Sequence, residues 1–127
     1  MDDGGTQILV VDDDEGMREA IESLLDAAGF RATVYPSAEA LLSADTVDAA
    51  ACVITDLKLP AMPGLELLAT LRARTHRPAV IVITAHDVPG LRDQAMQLGA
   101  TAYFTKPFAG GALLSAIEKA TGPHVRA

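Results

Sequence analysis

Two rhythms of apolar and polar positions take turns along the chain. Gln7 to Val11 is a short apolar run rich in residues that favour strands. From Glu15 to Ala28, Met17, Ala20, Ile21, Leu24, Leu25 and Ala28 recur at helical spacing and share one face. Gly29 is suited to end that helix. Arg31 to Tyr35 reads as a second strand, and Ser37 can cap a short helix reaching about Ala44. Ala50 to Thr55 is apolar almost throughout, as expected of a strand covered on both faces. Leu65 to Arg74 is helical, Ala79 to Thr84 is the clearest strand, and Leu91 to Leu98 is a helix stopped by Gly99. Thr101 to Thr105 predicts a fifth strand. Leu113 to Ala120 predicts a last helix, with a weak start at Gly110 and Gly111.

Strand and helix therefore alternate five times with short connections. That order predicts an α/β fold, a doubly wound five-stranded parallel sheet with helices on both faces. Ligands in such folds bind beyond the carboxyl ends of the strands.

The 127 residues suit one domain, read here as residues 7–121, with a flexible segment 1–6 before it and a tail 122–127 after it. With 50% apolar residues the chain can bury a core without disulfides or a structural metal. The lone Cys52 lies in an apolar run and reads as a small buried hydrophobe. A net charge of −7 and the absence of tryptophan argue against direct nucleic-acid binding. No apolar run approaches the roughly twenty residues that cross a bilayer, so no membrane span is expected. The acidic opening is unlike a signal peptide, and a cytoplasmic protein is the simplest expectation.

Polar residues collect at the predicted strand ends. Strand one runs into Asp12, Asp13, Asp14 and Glu15; strand three ends in Thr55 and Asp56; strand four ends in Thr84; strand five runs into Lys106 and Pro107. Grouped carboxylates repel unless a cation sits among them, and hard oxygen donors suit Mg²⁺. For Asp14 and Glu15 an acidic first turn complementing the helix dipole is the simpler reading. Asp56 read alone is an ordinary loop aspartate; beside Asp12 and Asp13 it is a candidate nucleophile toward phosphorus. Lys106 and Thr84 would then contact the phosphoryl oxygens. Read alone they are an exposed loop lysine and a strand-end threonine. A cis bond before Pro107, found for about one X-Pro bond in twenty, could aim the lysine inward.

Val10-Val11-Asp12-Asp13-Asp14, Thr55-Asp56-Leu57-Lys58-Leu59-Pro60, Gly64-Leu65-Glu66-Leu67-Leu68, Ile83-Thr84-Ala85 and Lys106-Pro107-Phe108 together resemble the receiver domain of two-component response regulators. The resemblance runs from about Gln7 to Thr121. It implies a flavodoxin-like sheet of order 2-1-3-4-5. It implies that Asp56 accepts a phosphoryl group, and that Mg²⁺ or Mn²⁺ is held by Asp12, Asp13, Asp56 and the Lys58 carbonyl. Thr84 and Lys106 would bind the phosphoryl oxygens, and Tyr103 would reorient with Thr84. Lys58 and His86 fall at variable positions, and solvent-facing side chains are expected there. Pro63 departs from the Asp, Asn or Ser common before this glycine and stiffens the loop.

The resemblance further implies a switch rather than an enzyme with a separate substrate. Its partners would be a histidine kinase or phosphotransfer protein, an output protein or effector domain absent from this chain, and a second copy through the last helices. Two alternatives fit less well. A haloacid-dehalogenase-like phosphatase carries its nucleophile after strand one in an Asp-x-Asp-x-Thr pattern, and Asp12-Asp13-Asp14-Glu15-Gly16 lacks that threonine. A flavodoxin-like cofactor binder would hold phosphate where this chain has a run of acids. A receiver that works without phosphorylation is disfavoured because every key residue is present.

Overall fold

The computed structural model describes residues 6–122. Of the segment 1–6 expected to be flexible and the tail expected at 122–127, residues 1–5 and 123–127 lie outside the described residues. The chain runs through β1 (Gln7–Val11), α1 (Glu15–Ala27), β2 (Arg31–Tyr35), α2 (Ala38–Leu42), a 3₁₀ turn (Asp45–Ala49) and β3 (Cys52–Thr55). It continues through α3 (Gly64–Arg72), β4 (Ala79–Thr84), α4 (Leu91–Gln97), β5 (Ala102–Thr105) and α5 (Gly110–Thr121). Among the described residues five strands form one sheet of order β2-β1-β3-β4-β5, every pair parallel.

Because successive side chains of a strand point to opposite faces, the apolar strands feed two cores at once. Leu9, Val11, Val53, Val80 and Val82 pack with Leu41, Leu67, Leu68 and Leu71 under α2 and α3. Ile8, Val10, Ile54, Ile81 and Ile83 pack with Ile21, Leu25, Leu113 and Ile117 of α1 and α5. Each fully buried Ile or Leu side chain contributes about 1.5–3 kcal/mol, so this double core is the main support of the sheet. Cys52 is buried in β3, as expected.

Local signals place most helix ends. Asp14 caps α1 and accepts from the Met17 amide at 3.2 Å; Ser37 caps α2 and accepts from the Ala40 amide at 3.1 Å. Gly29 and Gly99 follow α1 and α4 with φ of 91° and 106°, a region that L side chains avoid.

The structure departs from the pattern reading in a few places. Ala20 is exposed, so the buried stripe of α1 is narrower. The 3₁₀ turn intervenes before β3 because Val47 turns into the core. Helix α5 starts three residues earlier than the apolar spacing implies, at Gly110, which lies against Leu24 of α1.

Candidate functional site

The parallel ladder brings distant residues to one edge. Val11 is level with Thr55, and Thr84 with Thr105. Backbone bonds carry the pairing one residue further: the Asp12 amide donates to the Tyr35 carbonyl, Asp56 to Val11 and Lys106 to Thr84. Asp12, Asp56 and Lys106 therefore leave the sheet together at its carboxyl end.

Lys106 Nζ donates to Asp12 Oδ2 and to Asp56 Oδ2, each at 2.9 Å. The second oxygen of each carboxylate accepts from its own loop: Asp12 Oδ1 from the Asp14 amide at 2.9 Å, Asp56 Oδ1 from the Lys58 amide at 3.0 Å. Both acids are nearly covered, with 2% and 7% of their surface exposed. Burial pushes the Asp12 carboxyl above its ordinary value, against the Asp14 amide and Lys106. Burial also pulls the Lys106 ammonium down. The bonds and charges of Asp56 and Asp12 outweigh it and hold the group above its usual value. The Lys106–Pro107 bond is cis.

Asp13 is exposed on the rim. One carboxylate oxygen each from Asp12, Asp13 and Asp56 lie within 4.8 Å of one another. Oxygens on opposite sides of a bound Mg²⁺ are about 4.2 Å apart, so small side-chain rotations would let the three surround it. The donors are hard oxygens, as Mg²⁺ and Mn²⁺ prefer. The residues fit the ion.

Thr84 is fully buried at the end of β4, and its Oγ1 accepts from the His86 amide at 3.1 Å. That bond uses a lone pair and leaves the hydroxyl proton available to an acceptor. Lys58 and His86 face solvent, as expected. Pro63 stands just before α3, and its carbonyl accepts from the amides of Glu66 and Leu67. Beside Thr84 runs an apolar groove of about 320 Å³, walled by Leu57, Leu59, Pro63, Leu65 and Leu91.

The Tyr103 ring is buried, 8% exposed, in the α2–α3 core, and its hydroxyl donates to Asp87 Oδ1 at 2.8 Å. The Arg92 guanidinium lies 5.8 Å from the ring centroid. Burial, then the bond and charge of Asp87, push the tyrosine hydroxyl up to about 12. Arg18 donates to the Asp12 carbonyl at 2.8 Å and braces the acidic turn from α1. Pattern reading does not single out Asp87, Arg92 or Arg18. All three are charged residues that solvent would equally accommodate, and only their partners distinguish them.

An α/β sheet carrying a carboxylate pair bridged by lysine, with a buried threonine one strand away, has the makings of a phosphoryl-accepting module. Comparison with known proteins gives that module a family. Residues 8–118 match the family model of the response regulator receiver domain. The transcriptional regulatory protein FixJ of Azorhizobium caulinodans is 42% identical over 116 residues, which cover 91% of this chain and 54% of that protein. The C4-dicarboxylate transport transcriptional regulatory protein DctD of Pseudomonas aeruginosa is 39% identical over 119 residues, covering 93% of this chain and 26% of that one. The crystal structure of FixJ-N is 32% identical, with a TM-score of 0.82 and full coverage of both chains.

The chain belongs to the response regulator receiver domain family. It is a signalling switch of two-component systems, a family that works by phosphorylation of an aspartate and binds Mg²⁺ in an acidic pocket. Such domains interact with histidine kinases and output domains. The chain spans about half the length of FixJ and a quarter of DctD. Among the described residues no helix is long and apolar enough to cross a membrane.

Proposed function

We propose that Asp56 is the phosphoacceptor, that Thr84 and Lys106 hold the transferred group, and that residues 7–121 form the receiver unit. The observation that carries this reading is Lys106 Nζ bridging Asp12 and Asp56 at 2.9 Å each. Phosphoryl transfer needs positioning and positive charge more than it needs acid–base groups. Lys106 supplies a fixed charge on one side of Asp56. Asp12, Asp13, Asp56 and the Lys58 carbonyl would hold Mg²⁺ or Mn²⁺ on the other, where the ion neutralises charge on the phosphoryl oxygens.

A carboxylate oxygen of Asp56 attacks the phosphorus of a phosphohistidine or a small acyl phosphate. The new O–P bond forms as the bond to the donor breaks, and the donor leaves with the electron pair. Lys106 stays within reach of the added dianion, and the Thr84 hydroxyl donates to one of its oxygens. Drawn toward that oxygen, Thr84 shifts the loop after β4, and Tyr103 responds. The surface of α4, β5 and α5 then changes for whatever reads it, by a shift between two packings.

The same reading takes the phosphoryl donor to be a histidine kinase or phosphotransfer protein. The output is an effector domain or partner protein, with a homodimer through the last helices as one form of it. The setting is the cytoplasm. Asp56→Asn tests the central assignment. Acetyl phosphate with Mg²⁺ is expected to label the parent once per chain, in acid-labile form, and to leave the variant unlabelled. Normal labelling of the variant would remove Asp56 from the role.

A further inference from the structure

We propose that Asp87 is the positioning residue of the switch: its carboxylate holds the Tyr103 hydroxyl and ties the loop after β4 to β5, so that movement of Thr84 reaches α4. This rests on the assignment of Thr84 as the group that meets the phosphoryl oxygen.

The loop is short and fastened at both ends. At its start, the His86 amide donates to Thr84 Oγ1 at 3.1 Å. Any displacement of that hydroxyl toward Asp56 therefore pulls on His86. Asp87 is the next residue, and it accepts from Tyr103 at 2.8 Å. At the far end, Gly90 adopts φ of 87°, a backbone state that lets the chain turn into α4 at Leu91. Arg92, in the first turn of α4, places its guanidinium 5.8 Å from the centre of the Tyr103 ring, within the reach of a cation–π contact. Thr84, His86, Asp87, Tyr103 and Arg92 thus form one continuous chain of contacts from the phosphoryl edge to α4.

The chemistry of the Asp87 link is specific. A phenol donating to a carboxylate makes a charge-assisted bond, stronger than one between neutral groups. The ring is buried while Asp87 and its loop are exposed. The carboxylate therefore acts as a tether on the one polar atom of an otherwise apolar side chain. Remove it and the ring keeps its apolar contacts but loses the part that reports to the loop.

Tyrosine emission tests this directly. The chain has two tyrosines and no tryptophan, so in a Tyr35→Phe background Tyr103 is the emitter. A carboxylate accepting from the phenol quenches that emission, because the excited hydroxyl passes its proton to the acceptor. Emission is compared in this background with Asp87 intact, with Asp87→Ala and with Asp87→Asn. Each is measured with and without beryllium fluoride plus Mg²⁺, an analogue of the phosphoryl group. Labelling by acetyl phosphate is followed in parallel.

Asp87→Ala is expected to raise basal emission and to lose the response to beryllium fluoride, while labelling stoichiometry is unchanged. Asp87→Asn still accepts from the phenol and is expected to keep the response. Labelling accompanied by identical emission and response in the parent and Asp87→Ala overturns the role of Asp87 alone. An Asp87-dependent basal emission in a protein that cannot be labelled overturns the phosphoryl reading, and with it the transmission role.

Discussion

Gly64 opens α3 with its bare Cα pressed against the carbonyl of Asp56. A Cβ built there would lie 2.6 Å from Leu57 Cα and closer still to the Asp56 carbonyl oxygen. The contact is backbone to backbone, so no rotamer change relieves it. The Gly64 amide also donates to the Leu57 carbonyl at 2.9 Å and closes the loop that presents Asp56.

Gly64→Ala is therefore expected to destabilise the fold by about 1–3 kcal/mol, the usual range for overpacking, and to slow labelling by acetyl phosphate. Gly111 provides the control. Nothing lies within 4 Å of its added Cβ, and Gly111→Ala is expected to stabilise α5 by up to about 1 kcal/mol. Urea unfolding of both variants measures the contrast. Equal effects at the two sites would show that the close approach at Gly64 does not govern the loop.

Among the described residues Lys106 is the one cation bonded to both buried acids, Asp12 and Asp56. Lys106→Met leaves two covered carboxylates without it, and breaking such a buried pair costs about 3 kcal/mol. A divalent cation would replace the lost charge. Mg²⁺ is thus expected to raise Tm more in Lys106→Met than in the parent, because a ligand that binds the folded form stabilises it by mass action. Calorimetry with and without Mg²⁺ reads both numbers. The same Mg²⁺-induced shift in parent and variant would separate the lysine from the metal site.

Burial pushes the Cys52 thiol up from 9.0 to about 12. A group whose pKa is higher in the folded chain adds stability that is fully present below its unfolded value. That stability drains away as pH rises from about 9 toward 12. The parent is therefore expected to lose more stability between pH 8 and pH 11 than Cys52→Ala does. At pH 8 the native thiol should ignore a thiol-specific reagent that reacts promptly in urea. Prompt reaction in the native state would mean that β3 is open to solvent on that face.

Much of the fold is legible along the chain because its signals are local. The five apolar residues that lead β4 into Thr84 need no partner to be recognised, and the observed strand has the same ends, Ala79 and Thr84. Gly29 and Gly99 end their helices because positive φ is open to glycine, a property of the residue itself. The start of α5 is not legible. Glycines lower helix propensity, yet the helix begins at Gly110, where the missing Cβ lets α5 settle on Leu24. Propensity favours a later start, and packing overrides it.

The same division holds at the site. The one-dimensional pattern already determines that acids follow strands one and three, that a threonine ends strand four and that a lysine follows strand five, since alternating strands and helices must leave polar residues at the sheet edge. Only the folded chain decides that Lys106 reaches Asp12 and Asp56 together, 94 and 50 residues away, and that Tyr103 finds Asp87. Periodicity records which side of an element meets the core. Which charged group meets which depends on strand order, register and the direction of single side chains, and those exist only once the sheet is assembled.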